Sequence, residues 1–231
     1  MSGESVVAPP PWLRDGTRAA WHEIRGYLAT SWAFTRAPHR FIDAWVTGRQ
    51  TAMNPLAMLA TGAAIGAAMH QLAGAVVGIA HPDGLIDAML SALGPYAHYV
   101  VIGLICHVVI APGSPRHAGV LSSVATALYA GAGPAALAEA IGWLVICVIW
   151  PFAPSEIAIA IMLGVAFSVF CFTLSTALGA LHQTGAWRNI LAFAIAFPAT
   201  GLVFGTLRPP GNYGLHWVLD VRDGIQLGLG M

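Results

Sequence analysis

A carboxylate inside an apolar run is the first residue of this sequence that invites chemistry. Glu139 lies within residues 117–150, HAGVLSSVATALYAGAGPAALAEAIGWLVICVIW, a stretch of 34 mostly apolar residues. A charge at membrane depth is costly and tends to face a cavity or a partner, which makes Glu139 a candidate proton or cation site. The competing reading is a carboxylate near a helix start, offset by the helix dipole and reaching water or a polar neighbour. Just ahead of it, Gly131, Gly133 and Pro134 interrupt the helical pattern and form a candidate hinge.

Histidine supplies the second candidate chemistry. Of the nine histidines, His70, His98 and His107 fall in or beside the first two long apolar runs. A metal or haem site needs at least two converging ligands. His98 and His107 are nine residues apart, which turns them about 180° from each other on one helix. Only His70, from a neighbouring helix, could join either one. The expectation is therefore scattered hydrogen-bonding histidines with no metal and no cofactor. A cofactor-binding membrane subunit stands as a third-ranked reading. Arg116, His117, His182 and Arg188 fall in two polar turns and form a candidate pocket for lipid phosphates, against the alternative of ordinary basic flanks. The sequence contains no HExxH, P-loop or GxSxG motif, no paired carboxylates and no nucleic-acid signature, so no catalytic residue is assigned.

Composition says what must hold these residues in place. Of 231 residues, 57% are apolar and only 9% charged, with a mean hydropathy of +0.72. About a quarter of a soluble domain is charged, so this inventory cannot cover a water-exposed surface, and most of the surface must face lipid. All ten basic residues are arginine, and six of them precede residue 50. The absence of lysine points to a GC-rich, bacterial coding sequence. Cys106, Cys147 and Cys171 lie in apolar runs without CxxC spacing and read as small core residues. The first long apolar stretch begins only at residue 54, which predicts no cleavable leader.

Along the chain, residues 1–12 are a proline-rich start. From Asp15 to Thr35, Trp21, Ile24, Leu28 and Trp32 recur at three- and four-residue steps, with Arg18, His22 and Arg25 on the same helix. That is the pattern of an amphipathic helix lying in the membrane interface, with Trp21 and Trp32 as anchors and Arg18 and Arg25 towards acidic headgroups. Pro38 ends it, and a second short helix over 39–48 carries a further anchor, Trp45. Packing of both helices on the membrane domain or on another chain is the alternative. Five spans follow, at about 54–79, 95–110, 134–150, 157–181 and 189–207. Within them Gly62, Gly66, Gly74 and Gly78 form small faces for close helix approach. A continuous helix from residue 118 to 150 would be about 50 Å long against a hydrocarbon core of about 30 Å. The favoured solution is a lead-in segment over 118–132, the Gly-Pro hinge and a short span. A long kinked span and two separate crossings are the alternatives. Residues 208–231 form a short tail. Five spans with the amino end inside place eight arginines on the cytoplasmic side and two outside, in keeping with the positive-inside rule.

With these spans placed, Pro38–Phe41, Trp45, Gly48, Asn54-Pro55, Tyr129, Pro134, His182 and Trp187-Arg188 line up as landmarks. Over residues 36–207 the chain resembles the Yip-domain family of small five-span membrane proteins. The resemblance implies an integral membrane protein without catalytic residues; eukaryotic members are associated with vesicle trafficking and small GTPases. The arginine-rich arm and the tail past Arg208 depart from that pattern. The sequence thus predicts an all-α polytopic membrane helix bundle in three parts: residues 1–50 as interfacial arm, 51–207 as five-span domain, and 208–231 as tail on the far side. The expected function is that of a non-enzymatic scaffold, adaptor or membrane-organising protein of the bacterial inner membrane, with the amino end cytoplasmic. Its expected partners are acidic lipids and other membrane proteins or copies of itself, and no nucleic acid. The alternative is a small transporter or lipid-handling protein using Glu139 and the 131–134 break.

Overall fold

The computed structural model describes residues 11–50, 52–77, 85–152 and 156–206, and these form helices and turns with no strand among them. In chain order they are α1 (Pro11–Arg36), α2 (Pro38–Val46), α3 (Pro55–Val77), α4 (Leu85–Ile110), α5 (Val120–Ala130), a π-helical turn (Gly131–Ala135), α6 (Ala136–Ile149), α7 (Glu156–His182) and α8 (Ala186–Thr206). Among the described residues, three segments are long and apolar enough to cross a membrane: Pro55–Val76, Val120–Ile149 and Ile157–His182. Tyr96–Ile110 is an apolar part of α4. The start over 1–10, the turn over 78–84 and the tail over 208–231 lie outside the described residues.

The bundle is arranged around α5, the π-turn and α6, which form one continuous helical rod. Residues 126–135 are buried without exception. The π-turn alone packs against α1, α3, α4 and α7. Small side chains make this crowding possible. Gly131 receives the ring of Tyr99 so closely that a Cβ there would lie 2.2 Å from its Cδ2. Gly62 of α3 sits against Ala132 and the Tyr96 hydroxyl in the same way. Such close approach is the main source of helix association where the solvent is as apolar as the side chains. Many large aliphatic and aromatic residues also point outward, Leu121 at 79% and Trp187 at 82% exposure among them. An apolar surface of that extent is what a lipid-facing wall requires.

Several boundaries differ from the sequence expectation. The helix of the second expected span, at about 95–110, starts earlier; α4 runs through Pro95 as one helix from Leu85 to Ile110. Residues 120–149 form one continuous helical stretch, and the expected break at 131–134 falls on a π-helical turn that absorbs an extra residue. The last helix starts at Ala186, three residues before the expected Asn189, since Gln183 in the left-handed region (φ 55) reverses the chain tightly.

The two amino-terminal helices dock on the rod. Ala37 (φ −154, ψ 73) breaks α1 from α2 because the residue before a proline is driven out of the helical region. Tyr27, Thr30, Ser31 and Phe34 form the inner face of α1 and are buried. Trp21 and Trp32, each 66% exposed, lie on its outer face with Ile24 and Leu28. The expected amphipathic stripe is therefore present and uncovered, and a second, mixed polar–aromatic face of the same helix is what packs. Trp45 does not point outward with the other two; it is half-buried, its ring 5.6 Å from that of Tyr129 and nearly perpendicular to it.

Candidate functional site

Two polar foci stand inside an otherwise apolar bundle, and the π-turn organises the first. Pro134 has no N–H to give, and the chain responds by widening one turn. The Ala136 N–H reaches back five residues to the Gly131 carbonyl and also contacts that of Gly133. The Ala132 carbonyl between them accepts the Tyr27 hydroxyl of α1 at 2.6 Å. A buried carbonyl left bare would cost about 1–3 kcal/mol, so this bond both satisfies the backbone and fixes α1 in place. Burial pushes the Tyr27 phenol far above its ordinary range, the adjacent Ser31 hydroxyl acting weakly in the other direction.

Tyr129 completes the attachment half a helix away. Its hydroxyl donates to the Met53 carbonyl at 2.7 Å, and the Met53 N–H donates to Thr30 Oγ1 at 3.2 Å. Around its ring stand Phe34 at 6.0 Å, Phe41 at 5.3 Å and Trp45 at 5.6 Å. Each such pair adds about 0.5–1.5 kcal/mol beyond area burial. The rod, α1, α2 and the start of α3 are thereby joined at one aromatic node.

Glu139 lies on the first turn of α6, and α6 is not a free helix end. The rod runs on from Ala130 through the π-turn, and the Ala136 N–H is already bonded. No set of open N–H groups is available to offset the charge, contrary to the expectation that Pro134 starts the helix. The carboxylate is half-buried, one turn from Trp143 and within electrostatic range of Tyr96 and Tyr99.

The four basic candidates are divided between different tasks. Arg116 pairs with Asp43 of α2 at 3.3 Å. Arg188 donates to the carbonyls of Gly113 at 2.8 Å and Pro112 at 2.7 Å, tying the start of α8 to the α4–α5 turn. Gly113 has φ 70, and a Cβ there would lie 3.1 Å from Nη2 of Arg188. His117 is exposed, whereas His182 is completely buried and turned into the bundle. The four thus do not present one accessible phosphate pocket.

His182 instead joins the second focus. Its Nε2 lies 2.9 Å from Ser123 Oγ, and the same oxygen lies 3.0 Å from Nδ1 of His107. Sequence reasoning left His70 as the one possible partner of His107; the actual neighbour is 75 residues further on, and no local spacing signals it. His98 is half-buried elsewhere on α4, and the side chain of His70 lies outside the described residues. Among the described residues no group of three or more His, Cys, Asp or Glu side chains is placed to hold a metal ion. Cys106, Cys147 and Cys171 are free thiols. No protein-family model, curated protein or solved structure matches this chain.

Proposed function

We propose that the protein is a non-enzymatic integral membrane protein of five spans, acting as a scaffold, adaptor or membrane-organising partner in the manner of the Yip-domain proteins it resembles. The spans in this reading are α3, α4, the α5–α6 rod, α7 and α8. The arginine-rich amino end lies on the cytoplasmic side of a bacterial inner membrane, following the positive-inside asymmetry. The observation that carries the reading is the double-sided α1. Its inner face is bolted to the rod through Tyr27, while Trp21, Ile24, Leu28 and Trp32 remain uncovered on the outer face. A helix so held presents an apolar stripe at a fixed place on the bundle, available to acidic headgroups flanked by Arg18 and Arg25 or to a neighbouring membrane protein.

The test uses the full chain in liposomes containing acidic phospholipid and in its native membrane. Quenching of Trp21 and Trp32 by brominated lipid, together with a reproducible cross-linked partner or altered vesicle shape, is the expected result. A monomer with neither partner nor effect on vesicles sinks the proposal. A second reading, a small transporter or lipid-handling protein, is favoured by one observation: Glu139 stands half-buried beside Tyr96, Tyr99 and Trp143, one turn past the π-turn. Proton or solute flux in proteoliposomes that Glu139→Gln abolishes supports this reading; flux absent in both forms removes it.

A further inference from the structure

Ser123 differs from six other helix hydroxyls of this protein. Thr35, Thr126, Ser168, Thr173, Thr176 and Thr200 each donate to the carbonyl four residues back, the usual way to satisfy a hydroxyl in apolar surroundings. Ser123, completely buried, faces two imidazoles instead: His107 of α4 and His182 at the end of α7. The ring centroids are 5.5 Å apart. His182 is itself completely buried, and its other nitrogen, Nδ1, has no hydrogen-bond partner among the described residues. His107 is half-buried.

Counting protons restricts what this cluster can be. Ser123 brings one O–H, and two ring nitrogens face its oxygen. With both bonds made, one nitrogen donates to Oγ and the other accepts from it. If His182 carries its proton on Nδ1, a buried N–H is left without an acceptor; if it carries it on Nε2, only a lone pair is left bare. Orphaned buried N–H groups are the rarer case, which favours the second arrangement. The bonds then run from His182 Nε2–H to Ser123 Oγ and from Ser123 O–H to His107 Nδ1, with the His107 Nε2–H at the half-buried end.

We propose that His107, Ser123 and His182 form a single proton-binding site, the ligand being one proton shared by two imidazoles through the serine hydroxyl. A proton taken up at His182 Nδ1 displaces the Nε2 proton to Ser123, the Ser123 proton passes to His107 Nδ1, and the charge resides on His107. Loss of the His107 Nε2 proton returns the cluster to neutrality with both ring tautomers exchanged. A second proton finds no comparable place. Two imidazoliums facing one oxygen would both donate to it, leave the Ser123 proton without an imidazole acceptor and repel each other.

The surrounding charges are occupied or turned away. Asp43 of α2 and Arg116 pair with each other, and Arg188 of α8 holds the Pro112 and Gly113 carbonyls. Arg36 of α1, His39 and Arg40 of α2, and His117 are exposed, Cys106 of α4 is buried, and α3 carries no carboxylate, lysine or arginine. Among the described residues, no carboxylate bonds to either ring, so the shared hydroxyl does the work a counter-ion would do.

The experiment is a pH titration of the full chain in lipid nanodiscs, with ¹³C/¹⁵N-histidine labels read by NMR. Both rings are expected to move at one common midpoint as the first proton binds, with the second uptake requiring at least about tenfold more acid. Ser123→Ala is expected to separate the two curves. His182→Gln places an amide nitrogen near the Nε2 position and should leave His107 titrating as an isolated site at a shifted midpoint. His107→Asn is the reciprocal variant and does not depend on Ser123→Ala folding. Independent single-site curves in the wild type, unchanged when the partner ring is replaced, overturn the proposal.

Discussion

The rod has one direction and two environments. Its first half, through the π-turn, is surrounded by α1, α3, α4 and α7, and residues 126–135 are all buried. Its second half buries Trp143 and Ile146, while Ile141, Leu144, Val145 and Val148 face outward. Both halves are apolar, so hydropathy does not distinguish them. What differs is side-chain size and the presence of hydroxyls. Ser123, Thr126, Tyr129 and a run of glycine and alanine lie inside, and large aliphatics lie outside. In water the large aliphatics would be the core. Against lipid they gain nothing by burial, and close backbone contact with hydrogen bonding decides what goes in.

The largest expected effect is therefore at the tightest contact. Gly131→Val would drive a side chain into Tyr99, whose ring is also held 4.6 Å from that of Phe170. We expect loss of folding, or destabilisation by about 3 kcal/mol or more, in thermal unfolding in detergent. Ile141→Val on the outer half is the matched control and should unfold with the wild type. Equal losses at the two positions would dissolve the distinction.

Tyr129→Ala comes next. It removes the aromatic node and leaves the Met53 carbonyl bare, with an expected cost of about 3–5 kcal/mol. Leu144→Ala should cost far less, because lipid refills the space. Tyr27→Phe tests the latch alone: about 1–2 kcal/mol is expected, measured by the same unfolding curves. This position also carries a pH signature. Because burial holds the Tyr27 phenol protonated beyond its ordinary value of 10.0, its contribution is complete below pH 10. Above pH 10 the unfolded chain ionises first, so Tyr27 contributes a fall in stability of about 1.4 kcal/mol per pH unit, and Tyr27→Phe should make the alkaline slope shallower by that amount. The smallest effect belongs to Arg116→Ala. Its pair with Asp43 is half-exposed, and a loss under about 1 kcal/mol that vanishes in high salt is expected.

Much of the helical frame was legible in the sequence, because its punctuation is local. Pro38, Asn54-Pro55, the turn at 112–116 and Gln183–Gly185 each stop or start a helix through their own backbone preferences. The stripe of Trp21, Ile24, Leu28 and Trp32 was legible as well, since periodicity alone defines it. The face of α1 that packs was not. Tyr27, Thr30 and Ser31 have meaning only against a carbonyl 105 residues away, laid open by a widened turn. Glu139 was expected near a helix start because proline usually begins or ends a helix, and the extra residue let this one continue. The pairing of His107 with His182 depends on three helices meeting, which no spacing within one segment records.

The widened turn has a consequence in the history of the chain. One additional residue in a helix rotates everything beyond it by about 100° and advances it by about 1.5 Å. A relative lacking one residue between Gly131 and Ala135 would keep the arm and the aromatic node, yet would turn Glu139 and Trp143 away from Tyr96 and Tyr99. Insertions and deletions of a single codon here thus act as a dial between two versions of the same bundle. In one the carboxylate faces the tyrosines; in the other it faces elsewhere.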